Sequence, residues 1–385
     1  MAGWTDVVDR RVAGGFAPGI VALVDRGGRA LTHAAGWRDL ETRAPMQPDT
    51  LFRLASVTKP ITAAGAMLLV DDGRLTLDQP LDDWLPELAG MQVLRTPRSA
   101  LTDTVPASGA VTLRGLLSQT FGLGIDFAHR SAVSERLAAL GIVAGNGALE
   151  PDDYMKRLGS LPLVAEPGER WLYHIGLDVA AILIGRISGA SLPAFMRERL
   201  FDPLGMSDTG YCVPDERRHR LAAYYADLGG GRYAAIPDTV PDGSVRVAQG
   251  GGSGLFSTAG DLGRFGRMLL DGGVAGGRRI LSASSIAELR RDQVSAESKA
   301  ASPVYPYFWD RYHWGLGLCV ARAATPIATH PGRFGWWGGT GTGLFMDPAT
   351  DLVMVSLTQR AIDDISDAGN ADAIMAAAMA DAIAS

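Results

Sequence analysis

Only three lysines, Lys59, Lys156 and Lys299, stand among the 36 basic residues of this 385-residue chain. The first lies in "LASVTKPITAAGAMLLVDDG", three residues after Ser56. On a helix, residues i and i+3 share a face, so hydroxyl and amine come within hydrogen-bond reach. A serine at a helix N-terminus also has unpaired backbone N–H groups beside it and the positive end of the helix dipole beneath it. Those are the parts of an activated nucleophile: an exposed hydroxyl, a base one turn away and a donor for a developing oxyanion. The base must be neutral to act, and partial burial lowers an amine's pKa. Arginine cannot give up its proton, which is a chemical reason for lysine in a chain that otherwise uses arginine. Pro60 follows at once, so the spacing predicts a helix that begins at or just after Ser56, or bends there.

Other chemistries find less support. The chain has no G-x-S-x-G elbow, no H-E-x-x-H, no phosphate-binding G-x-x-x-x-G-K-[ST] loop and no EF-hand pattern. Its six histidines lack metal-ligand spacing, so no metal is expected. Cys212 and Cys319 show no C-x-x-C spacing and are expected as two buried thiols of a cytoplasmic protein. A net charge of −6 carries no basic footprint for nucleic acid or an anionic membrane. No apolar run reaches the roughly 18 residues of a membrane span, and "MAGWTDVVDRRVAGG" lacks the basic-then-apolar pattern of a leader.

The elements that must position Ser56 follow from punctuation and periodicity. Gly27–Gly28 between two strand-like runs signals a hairpin. Ser56 to Asp72 has helical spacing and stops at Gly73. Helical patches "VTLRGLLSQT" and "GLDVAAILIGRISG" occupy the middle, and the turn-dense segment 228–243 is expected to be a return crossing. A helix near 259–271 precedes strand-like "HWGLGLCVA", "TGLFMD" and "LVMVSLTQ", and Asp372 to Ala384 closes the chain as a helix. Strands at both ends and helices between predict an α+β fold. Residues 1–75 and 242–385 would build an antiparallel sheet flanked by helices, residues 76–241 a mainly helical inserted domain, and the active site would lie in the cleft between them.

Here the residues take on a likeness. "LFRLASVTKPITA" resembles the nucleophile helix of the serine β-lactamase and penicillin-binding protein superfamily, most closely the class C β-lactamases and the related family VIII carboxylesterases. "VTLRGLLSQTFGL", "EPGERWLYHIGLDVAAILIGRISG", "FDPLGMSDTG", "GGGSGLFSTAGDLGRF" and "WWGGTGTGLFMDP" are similar to further segments of those proteins, in the same order, over roughly residues 15 to 360. The resemblance implies a β-lactamase/transpeptidase-like fold, Ser56 as nucleophile, Lys59 as its partner and Tyr173 as the second member of the proton-handling pair. A tyrosine beside an ammonium is expected to have a lowered pKa, and the coupled pair leaves open which member is the base. The resemblance also implies oxyanion donors at the backbone N–H groups of Ser56 and Thr340, with Gly338 and Gly339 letting substrate approach the strand.

Two departures from the family pattern matter. The third position of its Y-x-N motif is Ile175, and the K-T-G position reads Trp337-Gly338-Gly339. Isoleucine offers no hydrogen bond and tryptophan one N–H and a broad apolar face, so the pocket is expected to favour neutral or apolar acyl groups. Family VIII carboxylesterases are similar in both features. Trp336 is expected either to line the same cleft or to pack the sheet. Gln119 replaces the histidine usual in its helix and receives no role. The expectation is a cofactor-free, cytoplasmic serine carboxylesterase acting on a small ester through an acyl-enzyme. The alternatives are a β-lactamase, a D-amino-acid peptidase or amidase, an acyltransferase of the same fold, or a non-catalytic ligand-binding homologue.

Overall fold

Eight strands drawn from the two ends of the chain form one antiparallel sheet in the computed structural model, which describes residues 3–128, 131–142, 149–237, 250–324, 330–362 and 369–384. The strands are β1 (Gly19–Arg26), β2 (Arg29–Asp39), β3 (Ala44–Pro45), β4 (Tyr312–Trp314), β5 (Cys319–Ala321), β6 (Phe334–Gly338), β7 (Thr342–Asp347) and β8 (Leu352–Thr358). Their order is β4-β5-β6-β7-β8-β1-β2-β3. N-terminal and C-terminal strands meet at β1 and β8, in register from Ile20 opposite Thr358 to Arg26 opposite Leu352. Gly27 and Gly28, both at positive φ, make the β1–β2 hairpin that the sequence announces.

Strands β6, β7 and β8 are buried at every residue, because helices cover both faces. Alternate β1 side chains divide between the layers, Val21 and Leu23 joining one core and Ile20 and Ala22 the other. Helix α1 (Trp4–Ala13) packs with the C-terminal helix (Gly369–Ala384) on one face. On the other lie α2 (Thr58–Asp71) and, further along, the helix Ala259–Leu270. Between the two halves of the sheet the chain adds α3 (Leu113–Ser118) and α4 (Ile175–Ser188), which pack on one another, with α4 also against α2. Small hairpins accompany these helices, one of them pairing Gln92–Leu94 with Thr104–Pro106.

Helix α2 is the centre of the molecule, with every residue from Thr58 to Leu69 buried. A 3-10 turn, Ala55–Val57, leads into it, and Asp72 and the positive-φ Gly73 end it. Pro60 sits in its first turn, where its missing N–H is one the helix could not have paired.

Two expectations change here, and a third is met only in part. The described part of 228–243 holds the turn and the second strand of a hairpin pairing Tyr224–Asp227 with Tyr233–Ile236; the remainder, with the expected boundary at 241/242, lies outside the described residues. "HWGLGLCVA" is two strands, because Gly315 N–H bonds back to the Leu318 carbonyl and turns the chain. Cys319 is buried in the sheet as expected, but Cys212 is partly exposed, in a loop rather than a core element. Among the described residues no single helix is long and apolar enough to cross a membrane.

Candidate active site

Ser56 is half-buried in the 3-10 turn, and Lys59 lies beneath it in the first turn of α2, fully buried. The turn is stapled to the β6–β7 hairpin: Thr342 Oγ1 donates to the Leu54 carbonyl at 2.8 Å and Thr340 Oγ1 to the Arg53 carbonyl at 2.6 Å. Ala55, immediately before the serine, takes φ 47°, a strained value for a residue with a side chain. Lys59 Nζ stands 2.9 Å from Ser56 Oγ, as the i, i+3 spacing predicts. It also donates to the Gly252 carbonyl at 2.7 Å and lies 3.1 Å from His174 Nδ1.

Burial pushes the Lys59 pKa down to about 7, with the Asp178 carboxylate pulling the other way. Near neutral pH the amine is therefore part neutral, which an arginine there would never be.

Tyr173 is brought to the same place from the segment ahead of α4. Its backbone exchanges two hydrogen bonds with Ile125, N–H to carbonyl at 2.9 Å and 2.8 Å, which fixes the ring over the site. The expected lowering of its pKa is not what the geometry produces. Burial raises it, and bonds from Ser56 and Trp336 offset that only in part. Burial outweighs the neighbouring cation, although Lys59 Nζ lies only 4.3 Å from the centre of the tyrosine ring. The phenol stays protonated, and Lys59 is the member of the pair that is neutral first.

Strand β6 carries the other wall. Gly338 faces the serine turn, and Trp337 borders the cleft as expected, its ring packed 4.7 Å from Phe345 and 5.7 Å from Tyr312. Trp336 is buried and outside the lining; its Nε1–H donates to the Tyr173 hydroxyl at 2.7 Å. Ile175, the first residue of α4, is also buried, with its side chain in the large core rather than the cleft.

At the β6–β7 turn the Gly338 carbonyl accepts from Gly341 N–H within the hairpin. Gly339 and Thr340, the two residues of that turn, both border the cleft, and the Thr340 carbonyl accepts from Thr358 Oγ1. The two glycines differ in purpose. A Cβ on Gly338 would stand 2.3 Å from the Leu54 carbonyl oxygen, whereas one on Gly339 would meet nothing within 4 Å. Gly338 lets the strand lie against the serine turn, and Gly339 leaves the cleft open.

The cleft holds about 510 Å³ and is lined by Ile125, Phe127, Tyr224, Ile236, Pro237, Phe256 and Ile362, with Arg53 and Ser253 as polar points. Arg53 donates to the Ala222 carbonyl at 2.8 Å and lies over the Phe256 ring. Phe127, 40% exposed, leans on Trp171 and Tyr173 at the mouth. Among the described residues no group of His, Cys, Asp or Glu is arranged to hold a metal ion.

Three residues in contact with this centre escaped sequence reasoning. His174 and Asp178 follow Tyr173 by one and five positions, and only the helical i, i+4 spacing of that pair hinted at a partnership. Gln119, given no role, is the left-handed C-cap of α3 and accepts the His174 backbone N–H on Oε1.

The sequence profile of the family described as Beta-lactamase matches residues 4–379. The chain belongs to the beta-lactamase family. Protein Rv1367c of Mycobacterium tuberculosis is 36% identical over 369 residues, covering 93% of this chain and 89% of its own. Esterase EstB of Burkholderia gladioli is 32% identical over 370 residues, 90% of this chain and 87% of its own. Among solved structures, EstCE1, described as a hydrolase with promiscuous acyltransferase activity, superposes with a TM-score of 0.80 at 27% identity over 97% of both chains. The beta-lactamase family thus includes esterase and acyl-transferring relatives of this chain along nearly its whole length, and they support a hydrolase or acyl-transferring enzyme.

Proposed function

We propose that this beta-lactamase-family chain is a serine carboxylesterase that hydrolyses neutral or apolar carboxylic esters through an acyl-enzyme on Ser56. The observation that carries it is a water-excluded lysine, neutral in part near pH 7, 2.9 Å from a half-exposed serine on the floor of an apolar cleft. Neutral Lys59 takes the Ser56 proton as Oγ attacks the ester carbonyl. The tetrahedral oxyanion rests on the N–H groups of Ser56 and Thr340, which borders the cleft. As the C–O bond breaks, the proton on Lys59 passes to the departing alkoxide by way of the protonated Tyr173 hydroxyl. Water then attacks the acyl group, giving up a proton to the same lysine, and the carboxylic acid leaves with Ser56 restored.

The preference for esters now rests on the lining. Ile125, Phe127, Ile236, Phe256 and Ile362 give an acyl chain apolar contact, and Arg53, the one lysine or arginine among the described lining residues, is engaged with the Ala222 carbonyl and the Phe256 ring. Labelling by a fluorophosphonate, together with turnover of a short-chain p-nitrophenyl ester beside a chromogenic cephalosporin, tests the assignment. Wild type should label and favour the ester, and Ser56→Ala should lose both by at least about 1,000-fold. Wild type that neither labels nor hydrolyses any ester would defeat it, and preferential opening of the cephalosporin would make the chain a lactamase.

A second activity is favoured by the description of EstCE1 and by the room in the cleft: transfer of the acyl group to an alcohol other than water. Adding a primary alcohol to the assay and measuring the new ester tests it.

A further inference from the structure

The arrangement below Lys59 is more elaborate than a nucleophile and its base require. His174 has φ 86° and ψ −61°, and Ile175 N–H reaches back to the Tyr173 carbonyl at 3.3 Å. That is a γ-turn of the rare, strained kind, on a residue with a bulky side chain. The strain sets the imidazole, 3% exposed, directly beneath the amine. Gly252 forms the other side of the slot, and a Cβ on it would stand 2.6 Å from His174 Nε2. Asp178, one turn into α4, touches both walls. Its Oδ2 is 3.3 Å from His174 Nε2, a charge contact more than an aligned hydrogen bond, and its Oδ1 accepts Gly252 N–H at 2.8 Å.

A neutral amine has two N–H bonds and one lone pair, and Lys59 Nζ has three neighbours. The Gly252 carbonyl can only accept. A neutral imidazole carries one N–H, and its position decides the rest. On Nδ1 it would consume the lysine lone pair and leave a bare Nε2 facing a carboxylate. On Nε2 it faces the carboxylate favourably, and Nδ1 accepts from the amine.

We propose that His174 and Asp178 are positioning residues for acyl transfer. Asp178 keeps the imidazole proton on Nε2, His174 Nδ1 and the Gly252 carbonyl take the two N–H bonds of Lys59, and the lone pair is left aimed at Ser56 Oγ. The inference rests on Ser56 and Lys59 acting as nucleophile and base. It adds that one carboxylate, through a side chain and a peptide, aims that base. Burial and the neighbouring Lys59 lower the His174 pKa, consistent with a neutral ring. The groups facing the amine are Ser56 from its own turn, the Tyr173 ring, and His174 with Asp178; Tyr154 and Tyr211, both held protonated by burial, border the same carboxylate.

The test is the rate of fluorophosphonate labelling of the intact protein against pH, which needs no natural substrate, with thermal unfolding as the check on folding. His174→Leu keeps bulk but cannot accept, and should label about 100-fold more slowly than wild type on the alkaline plateau. His174→Asn places an acceptor near the Nδ1 position and should recover to within about tenfold of wild type. Asp178→Asn removes the anion that favours the ammonium, so the midpoint of the acid limb should move to lower pH as the plateau falls. A folded His174→Leu labelling within about threefold of wild type overturns the proposal. If His174→Leu does not fold, the remaining variants decide: an unmoved midpoint in Asp178→Asn, or no labelling by folded His174→Asn, overturns it. A wild type that never labels defeats the serine hydrolase itself, whereas labelling indifferent to these variants defeats only the positioning role.

Discussion

The two sides of Ser56 are built on opposite principles. Below it lie buried polar groups, with Lys59 hydrogen-bonded to both His174 and the Gly252 carbonyl. Above it, Ile125, Phe127, Ile236 and Phe256 face an open cleft with few polar points. The lower side gains its reactivity from exclusion of water, since burial is what brings Lys59 to about 7. Small geometric errors there are expensive, because unpaired polar groups cannot turn to solvent. The upper side works by apolar contact, where losses are modest and affect one part of a substrate at a time.

The sharpest break in that contrast is Lys59→Arg. It preserves charge and abolishes proton acceptance, so ester kcat/KM should fall by about 1,000-fold or more at every pH. Steady-state kinetics from pH 5 to 9 would check it, and a residual acid limb near neutrality in the variant would remove Lys59 as base. Next is Gly338→Ala. Its methyl would meet the Leu54 carbonyl at 2.3 Å and push the strand off the serine turn, costing about 1–3 kcal/mol of stability in a thermal or urea melt. Gly339→Ala, opening onto free space, should leave stability within about 0.5 kcal/mol and raise KM instead.

For wild type, kcat/KM should climb with pH through about 7 as Lys59 loses its proton. No alkaline fall from Tyr173 is expected below pH 10, since burial raises that group. A profile falling through 7 would reverse the assignment. Trp336→Phe removes the donor to Tyr173 and should lower kcat about tenfold with KM little changed. Smallest is Phe127→Ala at the mouth: a KM rise of about threefold for long acyl chains, none for acetate esters and an unchanged kcat.

Local signals carried the sequence reading a long way. Ser56, Lys59 and the helix they begin are legible from spacing within one turn, and the β1–β2 hairpin from two glycines. What stayed hidden depends on which way a residue faces across distance. Lys59 and His174 are 115 positions apart, and no periodicity links them. Trp336 and Trp337 read alike because β6 is apolar on both faces, so the alternation that sends one ring to Tyr173 and the other to Phe345 has no polar residue to mark it. The Tyr173 pKa was misjudged for a related reason: proximity of an ammonium is readable, but the burial that outweighs it is not.

The sheet's joining of first and last strands has a consequence for the order of synthesis. Leu54, at the edge of the serine turn, is held by Thr342, 288 positions later. A chain emerging from the ribosome carries Ser56 and Lys59 early, yet β6–β8, whose hairpin holds the Arg53 and Leu54 carbonyls, exist only near the end of translation. On the proposed function, the burial that lowers the Lys59 pKa belongs to the finished fold, and C-terminal truncations that stop short of β6 should be devoid of labelling however well their helices form.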